Sequence, residues 1–523
     1  MTSEGTTTAD PAVLATAAPN VDLAAHRAAG SALNRRVTID SLWILAGYFV
    51  TSGAGFIFWI VAARLVPPAE LGLNTAIYSI VTAAAAVAAS GVGNALLVML
   101  PVSGGARNRL LRLGAGTGMS IAAVTGLIAG VLVAVFVAPQ GPPVVTVLGV
   151  ALVTVAWSLF VVKDPVLTAL GHARYTLAVN GPVNVAKLGL LPLVVVVAGA
   201  SALPVVVASV APAVLACLLV YGLTLPRLLR RAPAAPAVPA ARAETQDESR
   251  PEADTASAAG ISCVSEPGTD PTPVADAPGG WMELGRRAFY VFVLRDGTAN
   301  GLYLGVILAL PFLVTALAGA EQGAVFALCF QISLVLDLVV IGVGAALATH
   351  SAGSAAAAPA AAVRVWLQVL AVVTLGAVAL ITVSPLLLGA LGRFYESSTG
   401  VTVIVLLAAG SVLRTSFEIW GATLRARQRT TIVLICTALF AAGLLPLVLV
   451  LTPRFGAVGA AAALLIVTVG LGVAGVVGLL RPLIGRRRPV HTDSASAAPV
   501  PAEPVAFGTV AAEPVLPETG ARP

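Results

Sequence analysis

The segment Asn180–Val194, NGPVNVAKLGLLPLV, decides which class of fold this sequence can adopt. It belongs to the stretch Thr176–Ala198, in which Lys187 is the only charged residue. A helix needs about 20 predominantly apolar residues to cross a hydrocarbon core of about 30 Å. The hexamer GLLPLV occurs again at Gly443–Val448, 254 residues further along. The sequence therefore predicts a membrane-spanning helix with one copy in each half of the chain.

The composition of the whole chain indicates the same class. Of 523 residues, 58% are hydrophobic and 10% are charged, and the mean hydropathy is +0.96. Soluble domains carry roughly 25% charged residues, so the composition excludes a soluble enzyme, a disordered chain and a coiled coil. The net charge of +6 does not indicate nucleic acid as a partner here, because basic residues of polytopic proteins mostly set their orientation.

Twelve stretches are long and apolar enough to cross a membrane, which predicts an all-α polytopic protein with two six-helix lobes. They are Leu42–Ala63, Gly72–Leu100, Leu113–Val137, Val144–Leu167, Thr176–Ala198, Ala202–Leu223, Ala288–Thr315, Gly323–Ala348, Val365–Leu388, Val401–Leu424, Thr430–Leu451 and Val458–Leu480.

The polar stretches divide the chain. We expect a disordered tail at 1–39, an N-terminal lobe at 40–223, a disordered linker at 224–284, a C-terminal lobe at 285–480 and a second disordered tail at 481–523. The linker is dominated by Pro, Ala, Ser and acidic residues, which cannot bury enough apolar surface to become ordered.

The basic residues predict the orientation of the spans. The tails, the linker and the loops on the same side contain 24 Lys and Arg residues, whereas the opposite loops contain 3. Because cytoplasmic loops are enriched in Lys and Arg, both termini and the linker are predicted to be cytoplasmic. The expected location is the cell membrane.

Ionisable residues inside the predicted spans are the candidate functional residues, because each is costly in hydrocarbon unless it faces protein or water. They are Lys187, Arg295, Asp296, Asp337, Arg414 and Glu418. A purely structural interpretation pairs Arg414 with Glu418 one turn away, and Arg295 with Asp337 across helices. Asn180, Asn184 and Lys187 form one stripe of a helix, and no carboxylate shares it. An anionic ligand would explain that cation.

No sequence motif indicates catalysis. The chain has no GxxxxGK[ST], HExxH or GxSxG motif, and its four Cys and four His residues do not have metal-ligand spacing. We therefore expect no catalytic residues, no metal site, no cofactor and no enzymatic activity.

Three segments carry a family resemblance: AARLVPPAELG at Ala62–Gly72, GVGNALLVMLP at Gly91–Pro101, and DPVLTALGHARYTLAVNGPVNVAKLGLLPLV at Asp164–Val194. They resemble the polysaccharide flippases (the Wzx-like, O-antigen and teichoic-acid exporter group) of the multidrug/oligosaccharidyl-lipid/polysaccharide (MOP) exporter superfamily. The resemblance covers the first lobe by motif and the second mainly by topology, and the long linker departs from the family.

The resemblance implies a MATE-like fold that works by alternating access. The implied cargo is a polyprenyl-pyrophosphate-linked oligosaccharide, moved across the cytoplasmic membrane for cell-surface polysaccharide synthesis. Substrate-binding candidates are then Asn180, Asn184, Lys187, Arg295 and Arg414. Candidates for coupling to H⁺ or Na⁺ are Asp296, Asp337 and Glu418.

Two other functions remain open at this stage. One is a multidrug/cation antiporter of the same superfamily, which would favour an acidic cavity without an unpaired lysine. The other is a non-transporting membrane scaffold for cell-envelope enzymes, in which the charges inside the spans would all be paired. For a flippase, expected partners are the lipid-linked oligosaccharide, membrane lipids, and the glycosyltransferases and polymerase of the same pathway.

Overall fold

A computed structural model describes residues 53–101, 103–137, 142–172, 174–231, 280–351, 359–426 and 430–485. Every regular element in these ranges is a helix. The predicted tail 1–39, the first residues of the first predicted span, the linker residues 232–279 and the tail beyond 485 lie outside the described ranges.

The first half of the chain contributes six helices. They are α1 (described over Gly53–Leu65), α2 (Pro68–Met99), α3 (Arg107–Phe136), α4 (Pro143–Ala169), α5 (Arg174–Ala198) and α6, which comprises Pro204–Leu219, a π-helical turn at Val220–Thr224, and Leu225–Arg231. Proline begins α2, α4 and α6, where its missing N–H removes no helical hydrogen bond.

The second half contributes another six. They are α7 (Gly280–Leu308, continued by Leu310–Ala318), α8 (Ala320–Ser351), α9 (Pro359–Leu391), α10 (Ser398–Ala426), and α11 and α12, which together form Thr430–Gly485. The last two meet at Gly456, whose φ of +59° is a left-handed conformation inside an otherwise continuous helix. They therefore occupy 430–455 and 457–485.

The predicted fold class is confirmed. Ten of the described helices are long and apolar enough to cross a membrane, and the longest of these, Thr431–Arg481, contains both α11 and α12. With α11 and α12 counted separately, the described residues contain eleven candidate spans and one shorter apolar helix, α1, and the chain is a multi-pass membrane protein. The two GLLPLV segments lie in α5 and α11, the fifth helix of each lobe.

Two predicted boundaries differ from the structure. The seventh predicted span ended at Thr315, whereas α7 is interrupted at Ala309, just before Pro311, and ends at Ala318. A longer loop was expected between Leu451 and Val458, but the break between α11 and α12 is confined to Gly456. Hydropathy gives the length of an apolar stretch and does not show where one glycine redirects a helix.

Helix α2 joins the two lobes. It packs against α7 and α8 as well as against α3 and α4 of its own lobe. The contact with α7 is made by backbone atoms: a Cβ atom on Gly91 would lie 2.6 Å from the Cα of Gly297 and from the carbonyl oxygen of Val293. Because only glycine permits this approach, the two helices form a close seam between the lobes.

The lobes also meet at the end of the bundle where α1 turns into α2, which we call the Pro67 end. We call the opposite end, where the chain leaves α6 and enters α7, the linker end. The largest buried apolar cluster contains residues of both lobes, including Phe58 and Trp59 of α1, Val205 of α6 and Leu388 of α9. Apolar packing therefore closes the Pro67 end.

Substituting Gly91 tests the seam. We expect Gly91→Ala to lower the melting temperature in detergent, because overpacking of a close contact costs about 1–3 kcal/mol. Gly149→Ala is the matched control, since a Cβ atom there meets nothing within 4 Å. Equal melting temperatures for the two variants would contradict the seam.

Candidate functional site

Most of the ionisable residues inside the spans belong to three groups, which differ in how their charges are satisfied, while Arg295 and Asp296 have other partners. We call Tyr303, Asp337, Arg414 and Glu418 the central cluster. Lys163, Asp164 and Asn180 form the second group, the α4–α5 triangle. Lys187 stands apart from both.

The central cluster is built by three helices of the C-terminal lobe. Arg414 of α10 donates from Nη2 to Oδ2 of Asp337 on α8 at 2.6 Å, and to Oγ of Ser411 at 3.3 Å. The Arg414 and Asp337 side chains are only 12% and 14% exposed. Glu418 and the Tyr303 phenol of α7 are close enough to interact electrostatically with Arg414. Two carboxylates thus surround one guanidinium.

This arrangement corrects one of the two predicted pairs. The structural interpretation paired Arg414 with Glu418 and Arg295 with Asp337. Arg414 does interact with Glu418, but its direct ion pair is with Asp337. Arg295 is exposed and donates from Nη2 to the Thr431 hydroxyl of α11 at 3.0 Å. Helical periodicity places residues on a face, but the rotation of neighbouring helices decides which faces meet.

The α4–α5 triangle lies toward the linker end of the N-terminal lobe. Lys163 is completely buried and donates from Nζ to Oδ1 of Asp164 and to Oδ1 of Asn180, both at 2.8 Å. Asn180 donates in turn to Oδ2 of Asp164 at 3.2 Å. Since its amide satisfies this ion pair, Asn180 holds α5 against α4. Asn184 donates to the carbonyl oxygen of Asn180 at 2.9 Å, within α5.

Lys187 has different surroundings. It is half-buried near the middle of α5, and its Nζ lies 5.0 Å from the centre of the Phe58 ring of α1. Among the described residues no carboxylate pairs with it. An aromatic face attracts an ammonium group but contributes only about 0.5–2 kcal/mol. Lys187 therefore remains available to an anion.

Asp296 lies on the seam between the lobes. Its Oδ2 accepts a hydrogen bond from Nδ2 of Asn94 on α2 at 2.7 Å, a contact that sequence analysis did not predict. The signal was present, because Asn94 is a polar residue inside an apolar span. One turn of α2 away, the Ser90 hydroxyl donates to the carbonyl oxygen of Gly297 at 3.4 Å.

An apolar cavity of about 390 Å³ lies near the central cluster, between α1, α8 and α9. Its wall includes Phe56 of α1, Leu336 of α8 and Gly376 of α9. Leu336 precedes Asp337, so the cavity and the salt bridge lie at the same depth of α8.

Comparison with known proteins gives structural matches only. No known protein family and no curated protein matches the sequence. A multidrug-resistance MATE family transporter of the MOP superfamily, solved in its inward-facing conformation, matches 84% of this chain and 96% of its own with a TM-score of 0.53 and 13% identity. The lipid II flippase MurJ, in an inward closed conformation, matches 85% of this chain and 87% of its own with a TM-score of 0.58 and 10% identity.

The chain has the fold of the MOP-superfamily transporters. A further match with this fold is a MOP-superfamily transporter from Pyrococcus furiosus, for which a reversed polarity of the binding pocket suggests a different function. The match covers 85% of this chain and 94% of the other, with a TM-score of 0.52 and 16% identity. The fold alone therefore does not identify what this chain binds.

A double-mutant cycle tests the central cluster. Asp337→Asn removes one of the two carboxylates that offset the buried charge of Arg414. Arg414→Gln leaves Asp337 and Glu418 without the positive charge that offsets theirs. Breaking a buried ion pair from one side costs about 3–5 kcal/mol. We expect each single variant to melt well below the parent in detergent, and the double variant to recover most of the loss. Arg295→Gln is the exposed control. Additive losses would show that the pair is not coupled.

Proposed function

We propose that this protein is a flippase that moves polyprenyl-pyrophosphate-linked oligosaccharides across the cytoplasmic membrane for cell-surface polysaccharide synthesis. The observation that carries the proposal is Lys187, a half-buried cation in a span for which the described residues offer no carboxylate. A desolvated ammonium group requires an opposite charge, and a diphosphate supplies one.

The anion-binding residues of the proposal are Lys187 and Arg295, one from each lobe. Arg295 makes a single described hydrogen bond, to the neutral hydroxyl of Thr431, so most of its guanidinium remains available to an anion. Arg414, a third predicted ligand, is held by Asp337 and has a different role in the proposal. Asn184 stands one turn before Lys187 on the same stripe and offers its amide to the sugar or the diphosphate.

The apolar cavity supports a lipid rather than a free anion as cargo. Its lining is almost entirely hydrocarbon, from Phe56, Ile332, Val335, Leu336, Val372, Val373, Gly376, Leu380 and Leu387. A prenyl chain is chemically compatible with such a lining, whereas a free anion is not. In the proposal the chain rests here while the diphosphate lies near Lys187.

The central cluster supplies the coupling in this proposal. No nucleotide-binding motif is present, so energy comes from an ion gradient or from the downhill flux of the lipid. When Asp337 takes up a proton, or Na⁺ binds the carboxylates, its bond to Arg414 weakens and the guanidinium becomes available to the diphosphate. Glu418 would still offset part of the positive charge of Arg414. Asp296 is a second proton acceptor in the proposal. Protonation would remove its negative charge and weaken the hydrogen bond from Asn94.

The proposal includes an orientation and partners. Both termini and the linker face the cytoplasm, as the distribution of Lys and Arg predicts, so the Pro67 end faces outward. The lipid-linked substrate arrives from cytoplasmic glycosyltransferases, and the product passes to a polymerase on the other side.

A multidrug/cation antiporter is the second candidate. The acids of the central cluster favour it, and several solved proteins with this fold are multidrug transporters. Lys187 opposes it, because a fixed cation repels cationic drugs. A non-transporting scaffold is the weakest candidate, since it requires paired charges throughout the spans and gives Lys187 no role.

Lys187 provides the test. We expect Lys187→Ala to reduce export of a lipid-linked glycan in cells by about tenfold or more, the equivalent of a lost contact of about 1.4 kcal/mol. The melting temperature should stay close to that of the parent. Lys187→Arg should keep part of the activity, because the charge remains while its geometry changes.

The other lysine of the chain is the matched control. Lys163→Ala leaves Asp164 without its buried partner, so it should lower the melting temperature strongly. If Lys187→Ala exports glycan normally, Lys187 does not bind substrate. If it instead lowers the melting temperature as much as Lys163→Ala does, Lys187 is one half of a structural pair.

A further inference from the structure

The segment AARLVPPAELG, Ala62–Gly72, has no part in the proposed chemistry, yet it forms the turn between α1 and α2. This turn lies at the Pro67 end, where the two lobes are closed. It belongs to the N-terminal lobe. Its two ends nevertheless contact two different parts of the C-terminal lobe.

Arg64 makes the first contact, with the last turn of α9. Its Nε donates to the carbonyl oxygen of Ala390 at 2.8 Å, and its Nη2 donates to that of Gly389 at 3.1 Å. The final carbonyl groups of a helix have no partner within the helix and carry partial negative charge. Arg64 thus caps α9 from the opposite lobe.

The end of α9 is shaped to present these carbonyl groups. Gly392 has a φ of +135°, a conformation that side chains disfavour, so the chain turns away directly after Leu391. The Gly392 N–H group donates to the carbonyl oxygens of Leu388 and Gly389, both at 3.2 Å. The carbonyl oxygen of Gly389 also accepts a hydrogen bond from Arg64.

Gly72 makes the second contact, with the junction of α7 and α8. A Cβ atom at this position would collide with the carbonyl oxygen of Ala320, which the backbone cannot accommodate. The Thr315 hydroxyl is 3.4 Å from the carbonyl oxygen of Gly72, and 2.9 Å from that of Pro311. This end of the turn is therefore fixed by close backbone packing.

An apolar layer lies between the two contacts. Val66 and Leu71 of the turn are buried, and so are Leu391 and Tyr395 at the end of α9 and Val314 of α7. The buried Tyr395 hydroxyl has no hydrogen-bond partner among the described residues.

We propose that the turn Arg64–Gly72 is a latch that closes the Pro67 end, and that Arg64 must release the α9 carbonyl groups before that end opens. The bonds of Arg64 are exposed, so water replaces them readily and the latch is reversible. Gly72 fixes the position in which the lobes close. The latch does not depend on the substrate, and it applies equally to a flippase and to an antiporter.

Accessibility of a buried position tests the latch. Val66→Cys, 2% exposed in the closed state, is introduced after replacement of the four native cysteines, and its rate of maleimide labelling is measured in lipid nanodiscs. We expect Arg64→Ala to raise the labelling rate about tenfold, and Arg64→Lys to give an intermediate rate because an ammonium group lacks the two-pronged geometry. Gly72→Ala should raise the rate through its separate contact.

Two matched variants control the experiment. Arg454→Ala removes an exposed arginine from the same end of the bundle, and Gly149→Ala adds a methyl group where there is space. Both should label at the parent rate, and labelling below the melting temperature of each variant excludes unfolding as the cause. The latch is refuted if Arg64→Ala labels as slowly as Arg454→Ala. Loss of glycan export with unchanged labelling would also refute it, while leaving the proposed function intact.

Discussion

A charge inside a bilayer must have a partner or reach water, and this constraint governs the structure. An ionisable residue at the centre of a span costs about 2.5–3.5 kcal/mol or more when it is left in hydrocarbon. The chain meets the constraint in three ways: by a satisfied ion pair at Lys163 and Asp164, by an ion pair with a surplus carboxylate at Arg414, and by a half-buried ammonium at Lys187. The three arrangements differ in how completely the charge is neutralised.

The two lobes use corresponding positions differently. Asp164 and Glu418 are 254 residues apart, the same offset as the two GLLPLV segments, and both lie on the fourth helix of their lobe. Asp164 is bound by the lysine beside it and fixes α5 within one lobe. Glu418 instead joins a cluster that draws on α7, α8 and α10. An ancestral repeat would explain the matching positions, and their neighbours account for the different roles.

The class of fold followed from the sequence, because hydropathy depends on length and composition alone. The stripe from Asn180 to Lys187 was also visible, since it repeats with the period of a helix. The partners of the charged residues could not be predicted from the sequence. Asp337 pairs with Arg414 rather than with Arg295, and Asn94 reaches Asp296, because both contacts depend on how helices distant in sequence are rotated. The binding and coupling roles of these residues remain predictions.

Two contacts of different kinds hold the lobes together at the seam and at the latch. The seam between Gly91 and Gly297 is made of close backbone contacts, and the hydrogen bond from Asn94 to Asp296 lies beside it. The bonds of Arg64 are exposed and can exchange with water. The close contact of α2 with α7 is therefore the more rigid of the two.

Reconstitution in liposomes tests the central claim most directly. The purified protein is given a fluorescent polyprenyl-diphosphate oligosaccharide in one leaflet, and in parallel a fluorescent organic cation across an imposed proton or sodium gradient. The account predicts faster transfer of the lipid than in protein-free liposomes, with little movement of the cation. Gradient-driven movement of the cation, with lipid transfer at the protein-free rate, would contradict it and would assign this fold to a multidrug antiporter.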